Sequence, residues 1–320
     1  MKHVFVFDPK AFYNQQWKME NIQDNIGQYF RTQEKPDWSI QVSRYRRNAI
    51  GIIQEEAEKV SKGDIIRVYA IGGEDILFDC LNAVAHIPNT QLAATPYGET
   101  NDFLRIFGHE NIEKFVDIPS LVEAEALPTD VIRWGVNYAL NSCYIGMNSA
   151  ISKRVKDLKS NLNKGSFLIF SKISIFINYI LTAFDKQAAA RKYTITIDDQ
   201  NYSGSYSLIH IANGPYYAGK ITGAAHATPD DGLLDVTLIK SAHPLKTLFS
   251  LRRYSRGKLP KNSVSVQAKK VMIQSEEAMW IQMDSEYIQD TNVNLSLIPQ
   301  ATQMAAVNKL TYPIASILGE

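Results

Sequence analysis

The sequence has few cysteines: its 320 residues include two, Cys80 and Cys143, which lie far apart. There is no CxxC pair and no other ligand spacing, so a disulfide framework and a structural zinc site are both disfavoured, and a reducing compartment is favoured. An excess of one charge is also missing, because 34 lysines and arginines are balanced by 33 aspartates and glutamates. This balance argues against nucleic acid as the main partner.

A long, clean hydrophobic run is missing as well. The most apolar window, residues 167–184, contains Lys172 and several polar side chains, whereas a spanning helix needs about 20 predominantly apolar residues. We interpret this window as a buried helix, with a membrane-facing helix as the alternative. Met1 and Lys2 lead straight into a strand-like run, which predicts no signal peptide and a cytoplasmic protein, either free or peripheral on the inner membrane surface.

The N-terminal part of the sequence alternates between strand and helix patterns. Apolar, β-branched runs at 3–8, 38–43, 65–71 and 91–94 are separated by helical periodicities, of which Gln16–Arg31 is the clearest. This alternation is typical of a parallel sheet with helices on its faces. We therefore predict an α/β nucleotide-binding domain over residues 1–128.

After Pro128 the pattern changes to short strands punctuated by turn signals such as Asn213-Gly214 and residues 229–232. It predicts a β-rich second domain over residues 129–300, built as an antiparallel sandwich or half-barrel. A basic and then apolar stretch near 153–191 reads as a helical insertion. Residues 301–320 are predicted to return to the first domain as a C-terminal segment.

Residues 70–76, AIGGEDI, form the stretch around which the N-terminal half is organised. A buried strand ends at Gly72-Gly73, and an apolar helical pattern follows at once. Glycines at such a bend let a ligand approach the backbone, and the helix N-terminus then points at that ligand. An ordinary strand-to-helix turn that needs glycine is the alternative.

Two carboxylates, Asp284 and Glu286, alternate after the apolar run 278–283. On a strand they would face the same side. Such a pair binds a divalent cation, or one member accepts a proton from a hydroxyl while the other binds the metal. A solvated strand end is the alternative.

Five segments stand out in order along most of the chain: Gly72-Gly73-Glu74-Asp75-Ile76, residues 96–103, Asp130 with Asn141, residues 213–236, and Asp284-Ser285-Glu286. In order and spacing they resemble the motifs G-G-D-G-T, P-x-G-T-x-N-D-F, an acidic residue ahead of a strand asparagine, N-G…G-G…D-G-x-L-D-V and D-G-E. These are the motifs of the diacylglycerol kinase catalytic-domain family, the lipid kinases that include bacterial diacylglycerol kinases and sphingosine kinases. The resemblance covers most of the chain.

The resemblance implies an α/β domain of the NAD-kinase-like type and ATP in the cleft between it and the β-rich domain. It also implies Mg²⁺ and transfer of the γ-phosphoryl group to a lipid hydroxyl at the membrane surface, by a chain that forms a homodimer. By the same resemblance Asp284 would be the general base, assisted by Glu286, with Asp231 and Glu286 at the metal. Asp102 and Asp130 would belong to an acidic network around that metal. The nucleotide-binding residues would be Asp8, Gly72, Gly73, Glu74, Gly98, Glu99, Thr100 and Asn101.

The sequence departs from the family pattern where the nucleotide would bind. The N-P-x-S-G loop is replaced by residues 8–12, DPKAF, the G-T pair by Asp75 and Ile76, and the hydroxyl of the third loop by Glu99, with Thr100 next to it. One like-charge contact at ~4 Å costs about 4 kcal/mol at an effective dielectric near 20. A catalytically impaired pseudokinase that acts as a lipid- or nucleotide-binding module is therefore the alternative function. A kinase of a free nucleotide such as NAD is a third.

Overall fold

The structure, a computed structural model, describes residues 1–146, 149, 153, 191–217 and 221–313. The predicted helical insertion near 153–191 and its apolar window lie almost entirely outside these residues. Residues 314–320 of the predicted C-terminal segment lie outside them too.

The N-terminal half is a parallel sheet with helices on its faces. Its four strands pair in the order β4-β3-β1-β2, and every residue of β1 and β3 is buried. The helix α1 turns its apolar stripe toward this sheet, which is why Met19, Ile22, Ile26 and Phe30 are buried. The elements are β1 (Lys2–Phe7), α1 (Gln16–Arg31), β2 (Trp38–Val42), α2 (Asn48–Glu58), β3 (Ile66–Ile71), α3 (Glu74–Val84), β4 (Thr90–Ala94) and α4 (Ile118–Val122), with 3₁₀ turns at Pro9–Phe12, Leu104–Phe107 and His109–Val116.

The C-terminal half is built from antiparallel strands, with one helix described among them. The apolar residues that alternate along these strands meet in a separate hydrophobic cluster, distinct from that of the α/β half. The elements are β5 (Glu125–Trp134), β6 (Asn137–Ala139), β7 (Ser142–Gly146), β8 (Lys192–Ile197), β9 (Gln200–Asn201), β10 (Gly204–Ala212), β11 (Tyr216–Tyr217), β12 (Ile221–Thr222), β13 (Leu234–Lys240), α5 (Pro244–Tyr254), β14 (Ser263–Ala268), β15 (Lys270–Met283) and β16 (Glu286–Ala306), followed by a 3₁₀ turn at Val307–Lys309.

The strand β16 connects the two halves. It pairs antiparallel with β15 and with β5, and near its end Met304 pairs in parallel with Leu92 of β4. The predicted fold class, a parallel α/β half followed by a β-rich half, is confirmed. Pro128 lies inside β5 and faces Gln303 of β16, so hydrogen bonding continues across the predicted boundary, and the division into domains stays a prediction.

Two local features depend on tertiary contacts. The strands β6 and β7 are separated at Leu140-Asn141, because the N–H groups of both residues are directed at the carboxylate of Asp284. After the second glycine loop the chain forms the short 3₁₀ turn Leu104–Phe107.

The loops that follow β3 and β4 touch through two glycines. A Cβ atom built on Gly73 would lie 2.7 Å from the Cα of Gly98, and one built on Gly98 would lie 2.6 Å from the Cα of Gly73. Real Cβ atoms do not approach backbone so closely. Both positions therefore require glycine for space, and the two loops lie against each other at the carboxyl edge of the sheet.

We expect Gly73→Ala to lower the free energy of unfolding by about 1–3 kcal/mol, because the backbone of the facing loop must move. Gly51→Ala is the matched control: Gly51 lies inside α2 with nothing within 4 Å of an added Cβ, and alanine there should stabilise by roughly 0.5–1 kcal/mol. Urea unfolding measures both. Equal effects of the two substitutions would contradict this account of the glycine contact.

Candidate functional site

A cavity of about 170 Å³ opens where the two halves of the molecule meet. One wall comes from the carboxyl edge of the parallel sheet, with Asp8 and Lys10 after β1 and Arg46 after β2. The opposite wall is the turn between β15 and β16, with Ser285 and Glu286. The carboxyl edge of a parallel sheet is where ligands bind in open α/β folds.

The two glycine loops beside this cavity are hydrogen-bonded to each other. The amide of Gly72 donates to the hydroxyl of Thr95 (3.1 Å), and the Glu74 carboxylate accepts from the amide of Asp102 (2.8 Å). Asn101, at φ +51°, closes the second loop by accepting from the Gly98 amide (3.1 Å) and donating to the carbonyls of Pro96 and Gly98. These predicted nucleotide-binding residues therefore share one edge of the sheet.

Three more of the predicted nucleotide-binding residues have different surroundings. Asp8 lines the cavity and accepts from the amide of Lys10 (3.0 Å); burial, and to a lesser degree the charge of Asp75, raises the pKa of its carboxyl group. Glu99 is exposed and does not line the cavity, and the carbonyl of Thr100 accepts from the side chain of Arg105 (2.9 Å). Of the three acids that replace family residues in the nucleotide loops, Asp8 and Asp75 line the cavity and Glu99 does not.

The carboxylate of Asp284 is the centre of the hydrogen bonding in the opposite wall. It accepts from three consecutive backbone amides, those of Leu140 (2.7 Å), Asn141 (3.1 Å) and Ser142 (2.8 Å). Burial raises its pKa to about 6; the three hydrogen bonds act in the opposite direction, and the charge of Glu74 adds to the rise. Ser285 and Glu286, which follow Asp284, line the same cavity as Asp75 and Ile76, which follow the double glycine.

A chain of hydrogen bonds links Asp284 to the loop that contains Asp231. The carbonyl of Asn141 accepts from the amides of Asn213 (2.8 Å) and Gly214 (3.0 Å). The side chain of Asn213 donates to the carbonyl of Asp130 (2.8 Å). Asp130 is 1% exposed, and its carboxylate accepts from the amides of Gly232 (2.8 Å) and Gln300 (2.7 Å). Three of the five segments that the sequence singled out, namely Asp130 with Asn141, residues 213–236 and the segment 284–286, thus converge on one network.

The predicted metal ligands Asp231 and Glu286 have different neighbours. Asp231 is exposed, accepts from the amide of Leu233 (2.9 Å) and interacts electrostatically with Asp130 and Asp235. Glu286 forms an ion pair with Arg46. Within the described residues, no three His, Cys, Asp or Glu side chains are grouped so as to bind a metal ion. The metal roles of both acids stay predictions.

The sequence did not single out Arg46, Lys10 or Tyr45, which all line the cavity. Arg46 contacts Glu286 from across the cleft, although the two residues are far apart in the chain. The basic run 44–47 directly follows the parallel strand β2. It could have indicated a cation at the site, because the carboxyl end of such a strand faces the ligand crevice.

Comparison with known proteins identifies the family. Residues 141–306 match the family model described as "YegS C-terminal NAD kinase beta sandwich-like domain". The chain belongs to the YegS/diacylglycerol kinase family. A protein of Staphylococcus aureus strain JH9 named "Putative lipid kinase" is 26% identical over 305 residues, which cover 93% of this chain and 97% of the relative.

Solved structures from Bacillus anthracis strain Sterne show the same YegS/diacylglycerol kinase architecture. One, described as a "putative diacylglycerol kinase", superposes with a TM-score of 0.72 at 25% identity and covers 97% of this chain and 96% of its own. A second, described as a diacylglycerol kinase, gives a TM-score of 0.69 at 23% identity over 97% and 98% of the two chains. Across residues 1–146, 191–217 and 221–313, no helix has the length and apolar character needed to cross a bilayer.

The acids of the 229–235 loop are suited to the Mg²⁺ that family membership leads one to expect. Asp235 has a buried carboxylate oxygen with no hydrogen-bond partner within the described residues, and burial together with the charge of Asp231 raises its pKa to about 6. Burial also raises the pKa values of Asp230 and Asp231. Mg²⁺ prefers oxygen ligands and commonly takes only one or two carboxylates, with water completing its shell, so the donor set fits this ion.

We expect Asp130→Asn to lower the free energy of unfolding by about 1–3 kcal/mol, because the amide group cannot accept from both Gly232 and Gln300 and leaves a buried donor unsatisfied. Asp231→Asn is the control and should change stability by less than about 0.5 kcal/mol, since Asp231 is exposed. Urea unfolding distinguishes the two. A loss at Asp231 as large as that at Asp130 would refute the structural role of Asp130.

Proposed function

We propose that this protein is an ATP-dependent lipid kinase that transfers the γ-phosphoryl group of ATP to the hydroxyl of a diacylglycerol-like lipid. Membership of the YegS/diacylglycerol kinase family supports this reaction class. The observation that carries the proposal is the carboxylate of Asp284, which is oriented by three backbone amides in the wall of the cavity opposite Asp75 and Ile76.

Asp284 has the properties of a general base. Its three amide donors fix the orientation of the carboxylate, and they use only part of the four lone-pair sites of its two oxygens. A pKa near 6 leaves the group mostly ionised at neutral pH but more basic than an ordinary aspartate. Asp284 would accept the proton of the lipid hydroxyl as that oxygen attacks phosphorus.

The cations and the helix terminus of the cavity would orient the nucleotide. Lys10 and Arg46 line the cavity, and α3 begins at Glu74 directly after the two glycines, with its N-terminus at the same edge. Helix N-termini and basic side chains favour anions. Phosphoryl transfer depends mainly on positioning and charge neutralisation, and these groups provide both.

The metal, the partners and the location belong to the same proposal. Asp231 and its neighbour Asp235 would bind Mg²⁺. Glu286 would also bind this ion once its ion pair with Arg46 is broken. Bound Mg²⁺ would supply neutralisation of the charge on the transferring phosphoryl group. Asp102 would complete the acidic network with Asp130. We further propose a cytoplasmic homodimer that meets its lipid at the membrane surface.

We expect the turnover number with Mg-ATP and dispersed diacylglycerol to rise with pH through an apparent pKa of about 6, because Asp284 must be ionised to accept the proton. Asp284→Asn should lower turnover by about 100-fold or more, and the residual rate should no longer titrate in this range. Radiolabelled phosphate transfer measured across the pH range checks both. A variant with unchanged turnover would remove Asp284 from this role.

The charges in the cavity favour a second candidate, a pseudokinase that binds a ligand without turnover. Four acids line the cavity, whereas Lys10 and Arg46 are its only lining cations among the described residues. The four acids are Asp8, Asp75, Asp79 and Glu286. A triphosphate placed among them meets like charge, which weakens binding unless cations lie between.

Replacing Asp75, one of the four acids that line the cavity, should separate the two candidates. We expect Asp75→Asn to strengthen Mg-ATP binding by about tenfold, or ~1.4 kcal/mol, because Asp75 lines the cavity and Glu99 does not. Glu99→Thr is the matched control and should leave the Kd unchanged. Isothermal titration calorimetry measures both. If the wild-type chain binds no Mg-ATP at millimolar concentration and Asp75→Asn does not restore binding, the kinase proposal fails.

A further inference from the structure

The helix α5 has one face in the core and one face in solvent. Its buried side is formed by Thr247, Ser250, Leu251 and Tyr254. On the opposite side Leu245 and Phe249 lie one turn apart, with 57% and 72% of their surface exposed. Two large apolar side chains one turn apart on one helix face form a local exposed apolar patch, the kind of feature found where a protein meets a partner or a membrane.

The segment around α5 is also strongly basic. Residues 236–275 contain no aspartate or glutamate. Arg252, Arg256 and Lys258 are exposed, and no ion pair within the described part of the chain involves them. The whole chain is nearly neutral, so this concentration of positive charge is local.

The chain that follows α5 folds back along the helix and widens this surface. The side chain of Arg253 donates to the carbonyl of Leu259 (2.9 Å), and the hydroxyl of Ser250 donates to the side chain of Asn262 (2.7 Å). Lys258 is therefore adjacent to the last turn of the helix, together with Leu259, which is 50% exposed. Apolar and basic side chains thus share one surface.

We propose that this surface docks the protein onto an anionic lipid bilayer. The α5 surface consists of Leu245, Phe249, Arg252, Arg256, Lys258 and Leu259. Its basic groups would contact anionic headgroups, and its apolar side chains would enter the boundary between headgroups and acyl chains. The choice of a bilayer over nucleic acid rests in part on the proposed function, whose acceptor is a lipid. It also rests on the exposed apolar side chains, because binding to the phosphates of a nucleic acid does not require them.

The test is sedimentation of the full chain, without nucleotide, with phosphatidylcholine vesicles that contain phosphatidylglycerol or lack it. We expect binding to the anionic vesicles only. The triple substitution Arg252→Gln, Arg256→Gln and Lys258→Gln should weaken binding by about 100-fold, the effect of three basic residues near such a surface. Phe249→Ser should weaken it by about tenfold.

The matched control is a triple substitution of the same charge, Arg31→Gln, Lys62→Gln and Lys114→Gln, at exposed positions of the α/β half. It should bind as the wild type does, and circular dichroism should show that all variants are folded. Asp284→Asn should also bind fully, which separates docking from the proposed kinase activity. An equal loss in the control, no binding by the wild type, or tighter binding to duplex DNA that Phe249→Ser leaves unchanged would overturn the proposal.

Discussion

The site depends on one interaction: the carboxylate of Asp284 accepts hydrogen bonds from three consecutive backbone amides. This interaction joins the turn between β15 and β16 to the connection between β6 and β7. Because the donors are backbone groups, the chain path at residues 140–142 and the orientation of the carboxylate determine each other. An N–H group directed at an ionised acceptor forms a stronger hydrogen bond than a neutral pair does, so the arrangement is strong as well as specific.

Several polar groups of the β-rich half extend this interaction. The carbonyl of Asn141 accepts from the amides of Asn213 and Gly214, and the side chain of Asn213 donates to the carbonyl of Asp130. The carboxylate of Asp130 in turn accepts from the amides of Gly232 and Gln300. Several of these groups are buried, and buried polar groups generally have hydrogen-bond partners. The acids of this region thus divide into those that support the chain, such as Asp130, and those with solvent-accessible carboxylates, such as Asp231.

Much of the fold could be predicted from the sequence because local patterns determine it. The buried strands β1 and β3, the amphipathic helix α1 and the double-glycine turn all follow from periodicity and from the space around glycine. The site was predicted less completely. The contact between Arg46 and Glu286 joins residues far apart in the chain, and no local pattern predicts which acid an arginine will meet. The different neighbours of Asp231 and Glu286 likewise follow from tertiary packing and not from spacing.

The strand β16 has a mechanical consequence for the cleft. It is a single strand of 21 residues that pairs with both halves. Within this strand the two halves are therefore connected by continuous β-structure and not by a flexible linker. Its register against β5 shifts between Ile298 and Thr302, where Gln300 has φ +51°, and bulges are where strands bend. This point is therefore where β16 bends most easily, and the amide of Gln300, which donates to the carboxylate of Asp130, connects it to the acidic network.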